Sequence, residues 1–221
     1  MENTITLTCS LLLILTGATA FTAGVKKYFR RRVPMFHQLV TCALGCMALG
    51  QLDDVILLMI RGGLPEGFHL GILGMTGGFL VLFSTSYGTM DGLVDGKARS
   101  DRKYRLAALA APFMILGLLA ASAVFCRTSI GITDVFLFLI MAASSYYNLK
   151  HLIMPDVDFG IIRCIRPYNL TALLLTLCMA FRQFSEAVGS LILYGIFSLL
   201  LSAAYLILIP VLERGSRKWT M

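Results

Sequence analysis

The chain has 221 residues, of which 57% are hydrophobic and 14% are charged. Ordinary soluble domains are about 45–50% apolar and about 25% charged, so this composition excludes a water-soluble globule. The net charge of +7 arises from Lys and Arg clusters that lie between apolar runs, a pattern that indicates membrane orientation and argues against nucleic acid as a partner. We therefore predict one transmembrane domain, residues 1–221, with the lipid bilayer as its main partner.

Apolar runs of about twenty residues can cross a hydrocarbon core of about 30 Å as helices. In chain order, the predicted spans are 4–25, 36–60, 68–90, 105–125, 131–153, 168–187 and 190–212. The predicted fold is an all-α integral membrane protein, a bundle of seven transmembrane helices. Its short loops and the absence of added domains are typical of a prokaryotic inner membrane protein.

The first apolar run resembles a signal peptide because the small residues at 18–20 imitate a cleavage site. Its charges differ from those of a signal peptide, since Glu2 precedes the run and a basic cluster at 26–32 follows it. We therefore expect this run to remain as a first helix that enters the membrane with its N-terminus outside.

The basic residues alternate between rich and poor segments along the chain, which predicts the topology. All but three of the 19 Lys and Arg residues fall in segments that an external N-terminus would place in the cytoplasm. The three exceptions are Arg61, Arg127 and Arg182. The positive-inside rule thus predicts an external N-terminus and a cytoplasmic C-terminus.

Two spans of the same predicted direction contain similar nonapeptides. Residues 46–54 read CMALGQLDD and residues 178–186 read CMAFRQFSE, with four identical positions. A weaker Ser-x-x-Tyr pattern recurs at 84–87, 144–147 and 202–205, close to the predicted cytoplasmic ends of the third, fifth and seventh spans. These matches predict two parallel three-helix repeats joined by the fourth span, a 3+1+3 organisation.

In length, span number, external N-terminus and 3+1+3 organisation, the chain resembles the sugar-carrying SWEET transporters, which are built from parallel repeats. The resemblance implies a transporter. It supplies no functional residue, because the chain departs from the family's Pro-Gln motif: none of its six prolines is followed by Gln. Rhodopsins share the topology, but a retinal protein needs a lysine in its seventh span and this chain has none there. A receptor without a chromophore remains an alternative.

The strongest candidate site joins the second and sixth spans. An aspartate in the middle of a membrane helix costs roughly 2.5–3.5 kcal/mol, so Asp53 and Asp54 need partners, water or a position near the helix end. Arg182 lies at a similar predicted depth and could neutralise either one. The predicted ligand-binding residues are Gln51, Asp53, Asp54, Arg182, Gln183 and Glu186. The alternative is a structural ion pair that fixes the two helices together.

Two other patterns have packing or interface interpretations. Gly67, Gly71, Gly74 and Gly78 share one face of the third span, which favours close approach of another helix. Polar residues gather at the predicted inner ends of the third, fifth and sixth spans, where ordinary interface chemistry is favoured over a cytoplasmic vestibule. These residues are Ser84, Thr85, Ser86, Tyr87, Asp91, Ser144, Ser145, Tyr146, Tyr147, Asn148, Tyr168 and Asn169.

No sequence motif indicates a metal, a cofactor or a known catalytic mechanism. Four of the six cysteines lie within apolar runs, and Cys126 and Cys164 fall on opposite predicted sides, so no disulfide is expected. The one enzymatic alternative is a proton-sharing carboxylate pair formed by Asp54 and Glu186.

The sequence thus favours a transporter that binds a small polar molecule or ion between two three-helix repeats. A membrane sensor that signals through a separate cytoplasmic partner is the main alternative, and a scaffold without a ligand is the third. A second copy of the chain, in a homo-oligomer, is the alternative to a cytoplasmic partner.

Overall fold

The computed structural model describes residues 2–29, 33–62, 68–91, 102–125, 131–155 and 161–219. All regular secondary structure in these residues is helical. The helices are α1 (Glu2–Tyr28), α2 (Met35–Arg61), α3 (Leu70–Ser84), α4 (Arg102–Ala108), α5 (Ala110–Phe125), α6 (Ile132–Ile153), α7 (Ile161–Ala187) and α8 (Leu191–Trp219). A π-helical segment, Thr85–Asp91, continues α3.

Six helical segments of the described chain are long and apolar enough to cross a membrane. They are Thr4–Tyr28, Met35–Arg61, Leu70–Gly88, Arg102–Val124, Ile132–Ile153 and Leu191–Gly215. These segments overlap the first five predicted spans and the seventh. The all-helical prediction is therefore confirmed for these residues, whereas the count of seven spans, the orientation and the repeat stay predictions.

The sixth predicted span, 168–187, lies within α7, which is not among the six. This helix has 27 residues but is more polar than its neighbours. Several of its polar side chains are buried against other helices, including Tyr168, Asn169, Thr176 and Arg182. A helix that turns its polar side chains toward the bundle needs less hydrophobicity than one that faces lipid on most sides.

Six helices form a closed ring around a common core. In this ring α1 packs on α2, α2 on α3, α3 on α6, α6 on α7, α7 on α8, and α8 on α1. Helix α5 lies outside the ring, against α6 and α7. The largest fully buried side chains include Leu13, Leu44, Met47, Phe79, Met141, Leu175 and Tyr205.

The exposed surface of the bundle carries many large apolar side chains. Phe113, Ile132 and Ile192 are 71%, 76% and 78% exposed, respectively. Soluble monomers rarely expose extended apolar surface, because water does not solvate it well. This surface is suited to contact with lipid.

Helices α2 and α3 approach each other closely through glycine. A Cβ on Gly74 would lie 2.6 Å from the Gly50 Cα, and a Cβ on Gly78 would lie 2.5 Å from the Met47 Cγ. Larger residues therefore do not fit without displacing the helices or their side chains. The predicted packing role is confirmed for Gly71, Gly74 and Gly78, while Gly67 lies outside the described residues.

The fourth predicted span is interrupted between α4 and α5, at Leu109. Pro112 begins the next turn, and a proline ring clashes with the carbonyl four residues before it, here that of Ala108. The helix break lies one turn upstream of this proline.

Two helix ends differ most from the prediction. Helix α7 begins at Ile161, seven residues before the predicted start at 168, and Pro167 lies within it. Helix α8 continues to Trp219 rather than ending near 212. The prediction followed the apolar run, whereas helical hydrogen bonding can continue into the polar residues that flank it.

Candidate ligand-binding site

Most of the predicted site residues lie at one end of the ring, where α2 and α7 end and α3 and α8 begin. Gly62 terminates α2 with φ 73° and donates its N–H to the Leu58 carbonyl at 3.0 Å. Gly189 follows α7 with φ 71°, a left-handed conformation that glycine adopts without steric cost. We call six residues at this end the charged cluster: Gln51, Asp54, His69, Arg182, Glu186 and Tyr194.

Asp54 is held against the first turn of α3. Its Oδ1 lies 3.2 Å from the His69 Nε2, and its Oδ2 accepts a hydrogen bond of 3.4 Å from the Gln51 Nε2. A Cβ on Gly71 would lie 1.7 Å from the Asp54 Oδ1. The position of this carboxyl group therefore depends on the glycine at 71.

Asp53 has a structural contact in the same region. Its Oδ2 accepts a hydrogen bond of 2.8 Å from the backbone N–H of Gly71. The first N–H groups of a helix lack intrahelical partners, and negative charge is favourable there because of the helix dipole. Asp53 therefore caps α3 from the neighbouring helix.

Arg182 is 4% exposed, and its direct partner is Tyr194. The Arg182 Nη2 donates a hydrogen bond to the Tyr194 hydroxyl, and the guanidinium carbon lies 4.6 Å from the centre of the Tyr194 ring. The short turn between α7 and α8 places Tyr194 one helix away from Arg182. A buried guanidinium is thus partly compensated by an aromatic ring and a hydroxyl.

The sequence offered a direct ion pair between Arg182 and Asp53 or Asp54, and the structure does not form it. Within the described residues, ion-pair distances are found only for Lys27 with Glu213 and for His69 with Asp54. Both aspartates are instead held by the N-terminus of α3. Asp54 and Glu186 remain close enough to act electrostatically on Arg182.

The remaining predicted residues differ in their exposure. Gln51 is fully buried, and its Nε2 also lies 3.6 Å from the Met75 sulfur. Gln183 is half-buried, and Glu186 is exposed. Gln51 and Arg182 are therefore the buried members of the cluster, Asp54 is half-buried, and Glu186 lies at the exposed edge.

His69 and Tyr194 were missed as site residues by the sequence analysis. His69 lies at the start of the third predicted span, on the same predicted side as Asp54, and could have been found from that topology. Tyr194 follows Arg182 across a short predicted turn. An aromatic residue near a helix start is ordinarily an interface anchor, so its residue type gave no separate signal.

A second group of polar residues is buried near the opposite end of the ring. The Ser86 hydroxyl donates to the Asn148 Oδ1 at 2.9 Å, and the Asn148 Nδ2 donates to the Ser144 hydroxyl at 3.3 Å. Ser86, Asn148 and Asn169 are fully buried, unlike interface residues. Tyr87 is 53% exposed, as the interface interpretation predicted.

No group of three or more His, Cys, Asp or Glu residues in the described part of the chain could hold a metal ion. No known protein family, curated protein or solved structure is significantly similar to this sequence. The function is therefore inferred from the arrangement of the side chains.

Proposed function

We propose that this protein binds a small polar molecule or ion at the charged cluster and carries it across a membrane. The observation that supports this is Arg182, a buried cation with no carboxylate within 4.0 Å in the described residues. Ionisable residues inside a membrane bundle are costly and commonly mark a ligand or ion path. A ligand that contacts this group would reduce the cost of burying it.

The proposed topology has seven spans, with α7 as the sixth, an external N-terminus and a cytoplasmic C-terminus. The basic residues at 26–32, 97–105, 150–166 and 214–218 would then lie in the cytoplasm, as the positive-inside rule favours. The charged cluster would face the external side. A prokaryotic inner membrane remains the proposed location.

The ring order supports the proposed repeat. A two-fold axis along the ring would relate α1 to α6, α2 to α7, and α3 to α8, leaving α5 outside as the linker. This correspondence would pair Gln51 with Gln183 and Asp54 with Glu186. Parallel repeats of this kind are known in transporters, which is why we prefer transport to sensing.

A sensor with a separate cytoplasmic partner is the second candidate. Helix α8 continues to Trp219, beyond its predicted span, and its last residues are basic in sequence. A helix that extends from the bundle could transmit a rearrangement to a partner. A scaffold without a ligand would need neither the buried cation nor this extension.

A thermal-shift screen of organic acids, amines and sugars on the purified protein tests the proposal. A compound that binds only the folded state raises stability in proportion to RT ln(1 + [L]/Kd). We expect at least one compound to stabilise the wild type but not Asp54→Asn, and to be taken up by proteoliposomes. Stabilisation without uptake would favour the sensor, and no stabilisation by any compound would contradict ligand binding.

A further inference from the structure

The ring consists of two halves that meet at two junctions. Helices α1, α2 and α3 form the first half, and α6, α7 and α8 form the second half. The halves meet mainly where α3 packs on α6 and where α8 packs on α1. A movement of one half relative to the other must therefore change the contacts at these two junctions.

The junction between α1 and α8 carries an ion pair at the end opposite the charged cluster. The Lys27 Nζ, in the last turn of α1, contacts the Glu213 Oε2 near the end of α8. The two side chains are 45% and 19% exposed, respectively. A partly exposed ion pair contributes little to stability, because water solvates the separated charges well. This contact between the halves can therefore form and break at a small cost in free energy.

The junction between α3 and α6 is bonded at the same end of the ring. The Ser86 hydroxyl donates to the Asn148 Oδ1 at 2.9 Å. The Tyr87 ring packs edge-on against the Tyr147 ring, and the two ring centres are 5.3 Å apart. Ser86 and Tyr87 both lie in the π-helical segment that continues α3. Short π-helical segments are rare and frequently occur at functional sites, so the irregular end of α3 is itself a reason to expect a function at this junction.

The contacts of the charged cluster have a different arrangement. Asp54 contacts His69 within the first half of the ring, and Arg182 donates to the Tyr194 hydroxyl within the second half. Helices α2 and α3 of the first half are also in close contact through their glycines. These contacts hold each half together, whereas the ion pair and the Ser86 hydrogen bond connect one half to the other.

We propose that the two bridges, Lys27 with Glu213 and Ser86 with Asn148, form a gate that closes the end of the ring opposite the charged cluster. The inference rests on the proposed function, because a ligand that is carried across the membrane must leave through this end. A rigid movement of the halves that opens the gate brings α1 and α8 closer together at the end of the charged cluster. The two ends should therefore open in turn.

Distances between pairs of spin labels, measured by double electron–electron resonance on the full chain in detergent, test the gate without a ligand. With the native cysteines replaced, Lys26→Cys with Arg214→Cys reports on the gate. Ile5→Cys with Ile192→Cys reports on the other end of the same junction. Lys26→Cys with Met35→Cys measures a distance within the first half and is the internal control. All five labelled positions are exposed.

Ser86→Ala combined with Lys27→Gln removes both bridges. We expect this variant to lengthen the distance at the gate, to shorten the distance at the other end and to leave the distance within the first half unchanged. Ser84→Ala is the matched control, since the Ser84 hydroxyl is bonded to its own helix at the Leu80 carbonyl, 2.8 Å away. It should change none of the three distances. Lys27→Glu alone should lengthen the gate distance, and adding Glu213→Lys should restore it, because the charges are then exchanged.

The outcomes separate this inference from the proposed function. If the gate distance stays unchanged in the variant without bridges, or lengthens while the other end does not shorten, the bridges are local contacts and the gate is wrong. If the exchanged charges do not restore the gate distance, the ion pair is not part of it. Uptake of a screened compound by proteoliposomes without these distance changes would overturn the gate and leave the proposed function standing. The expected distance changes in a protein that no compound stabilises would contradict the proposed function but not the movement of the halves.

Discussion

Arg182 and Asp54 show that the direction of a side chain around its helix decides which partner it contacts. The two residues were expected to neutralise each other because their predicted depths match. In the structure each is engaged by the helix that follows its own, Asp54 by the start of α3 and Arg182 by Tyr194 on α8. Depth was predictable, but the direction of each side chain around its helix was not.

The partnership of Arg182 with Tyr194 gives a first prediction about stability. Tyr194→Phe removes the hydroxyl that accepts from Arg182 but keeps the ring, so it should lower the free energy of unfolding by about 1.5–3 kcal/mol, the usual contribution of a hydrogen bond to a charged group. Unfolding of the purified protein by SDS in mixed micelles measures this loss.

A double-mutant cycle supplies the control. Tyr194→Phe and Arg182→Gln should show a coupling energy of about 1 kcal/mol or more, as contacting residues do. Asp54→Asn and Arg182→Gln should be less strongly coupled. The opposite order would show that Asp54, rather than Tyr194, is the main partner of Arg182.

Asn148 and Asn169 provide a second comparison at the scale of single residues. Both are fully buried, but Asn148 bonds to Ser86 and Ser144, whereas the amide of Asn169 has no partner in the described residues. Asn148→Leu removes the amide that bonds to both hydroxyl groups and should destabilise the protein by about 1–3 kcal/mol.

Asn169→Leu should be close to neutral or slightly stabilising, because it removes an amide that makes no hydrogen bond. The same SDS unfolding assay compares the two variants. If Asn169→Leu destabilised as much as Asn148→Leu, Asn169 would have a bound water or another polar partner that contributes to folding.

At the scale of the helices, the glycine pattern correctly predicted a close helix contact, whereas the charges predicted an ion pair that the structure does not form. A row of small residues on one face of the third span predicts close packing against another helix. In the structure that helix is α2. The sequence could not name α2, because glycine spacing defines a face of one helix and not the helix that approaches it.

This interface gives a third prediction. Gly74→Ala would place a Cβ 2.6 Å from the Gly50 Cα, so α2 and α3 must move apart, at a cost of about 1–3 kcal/mol for overpacking. Gly77→Ala is the matched control on the same helix, because no atom lies within 4 Å of its added Cβ. It should be neutral or stabilise by up to about 1 kcal/mol.

The separation of α2 from α3 should also disturb the charged cluster, since Asp54 rests on Gly71 one turn away. Gly74→Ala should therefore weaken ligand stabilisation as well as folding, whereas Gly77→Ala should affect neither. Equal unfolding free energies for the two variants would contradict the close packing of these helices.

The boundaries of most helices could be predicted from hydrophobicity, but the start of α7 could not. Its apolar run predicts a start at 168, but the helix begins at Ile161. The burial of Tyr168, Asn169 and Arg182 depends on where the other helices pack, which hydrophobicity alone does not specify.

For the whole molecule, the closed ring could not be derived from the sequence. The similar nonapeptides predict which spans correspond, but the neighbours of each helix are set by side-chain packing across the bundle. The ring order is compatible with the proposed repeat, since helices in corresponding positions lie opposite each other. Helix α5 packs on the outside of the ring, and its one polar side chain, Ser122, is buried.

The proposed orientation gives a fourth prediction, which decides from which side of the membrane the charged cluster receives its ligand. With the six native cysteines replaced, a single cysteine at Glu66 or Ser129 should react with a membrane-impermeant thiol reagent on intact cells. A cysteine at Ser100 should react only after the cells are permeabilised, which also shows that the position is accessible. The physical reason is the excess of Lys and Arg near Ser100, which favours retention in the cytoplasm.

Labelling of Ser100 on intact cells, with Glu66 and Ser129 protected, would show that the orientation is inverted and that the charged cluster lies at the cytoplasmic face. The site would then receive its ligand from inside the cell, and the protein would act in export or in cytoplasmic sensing.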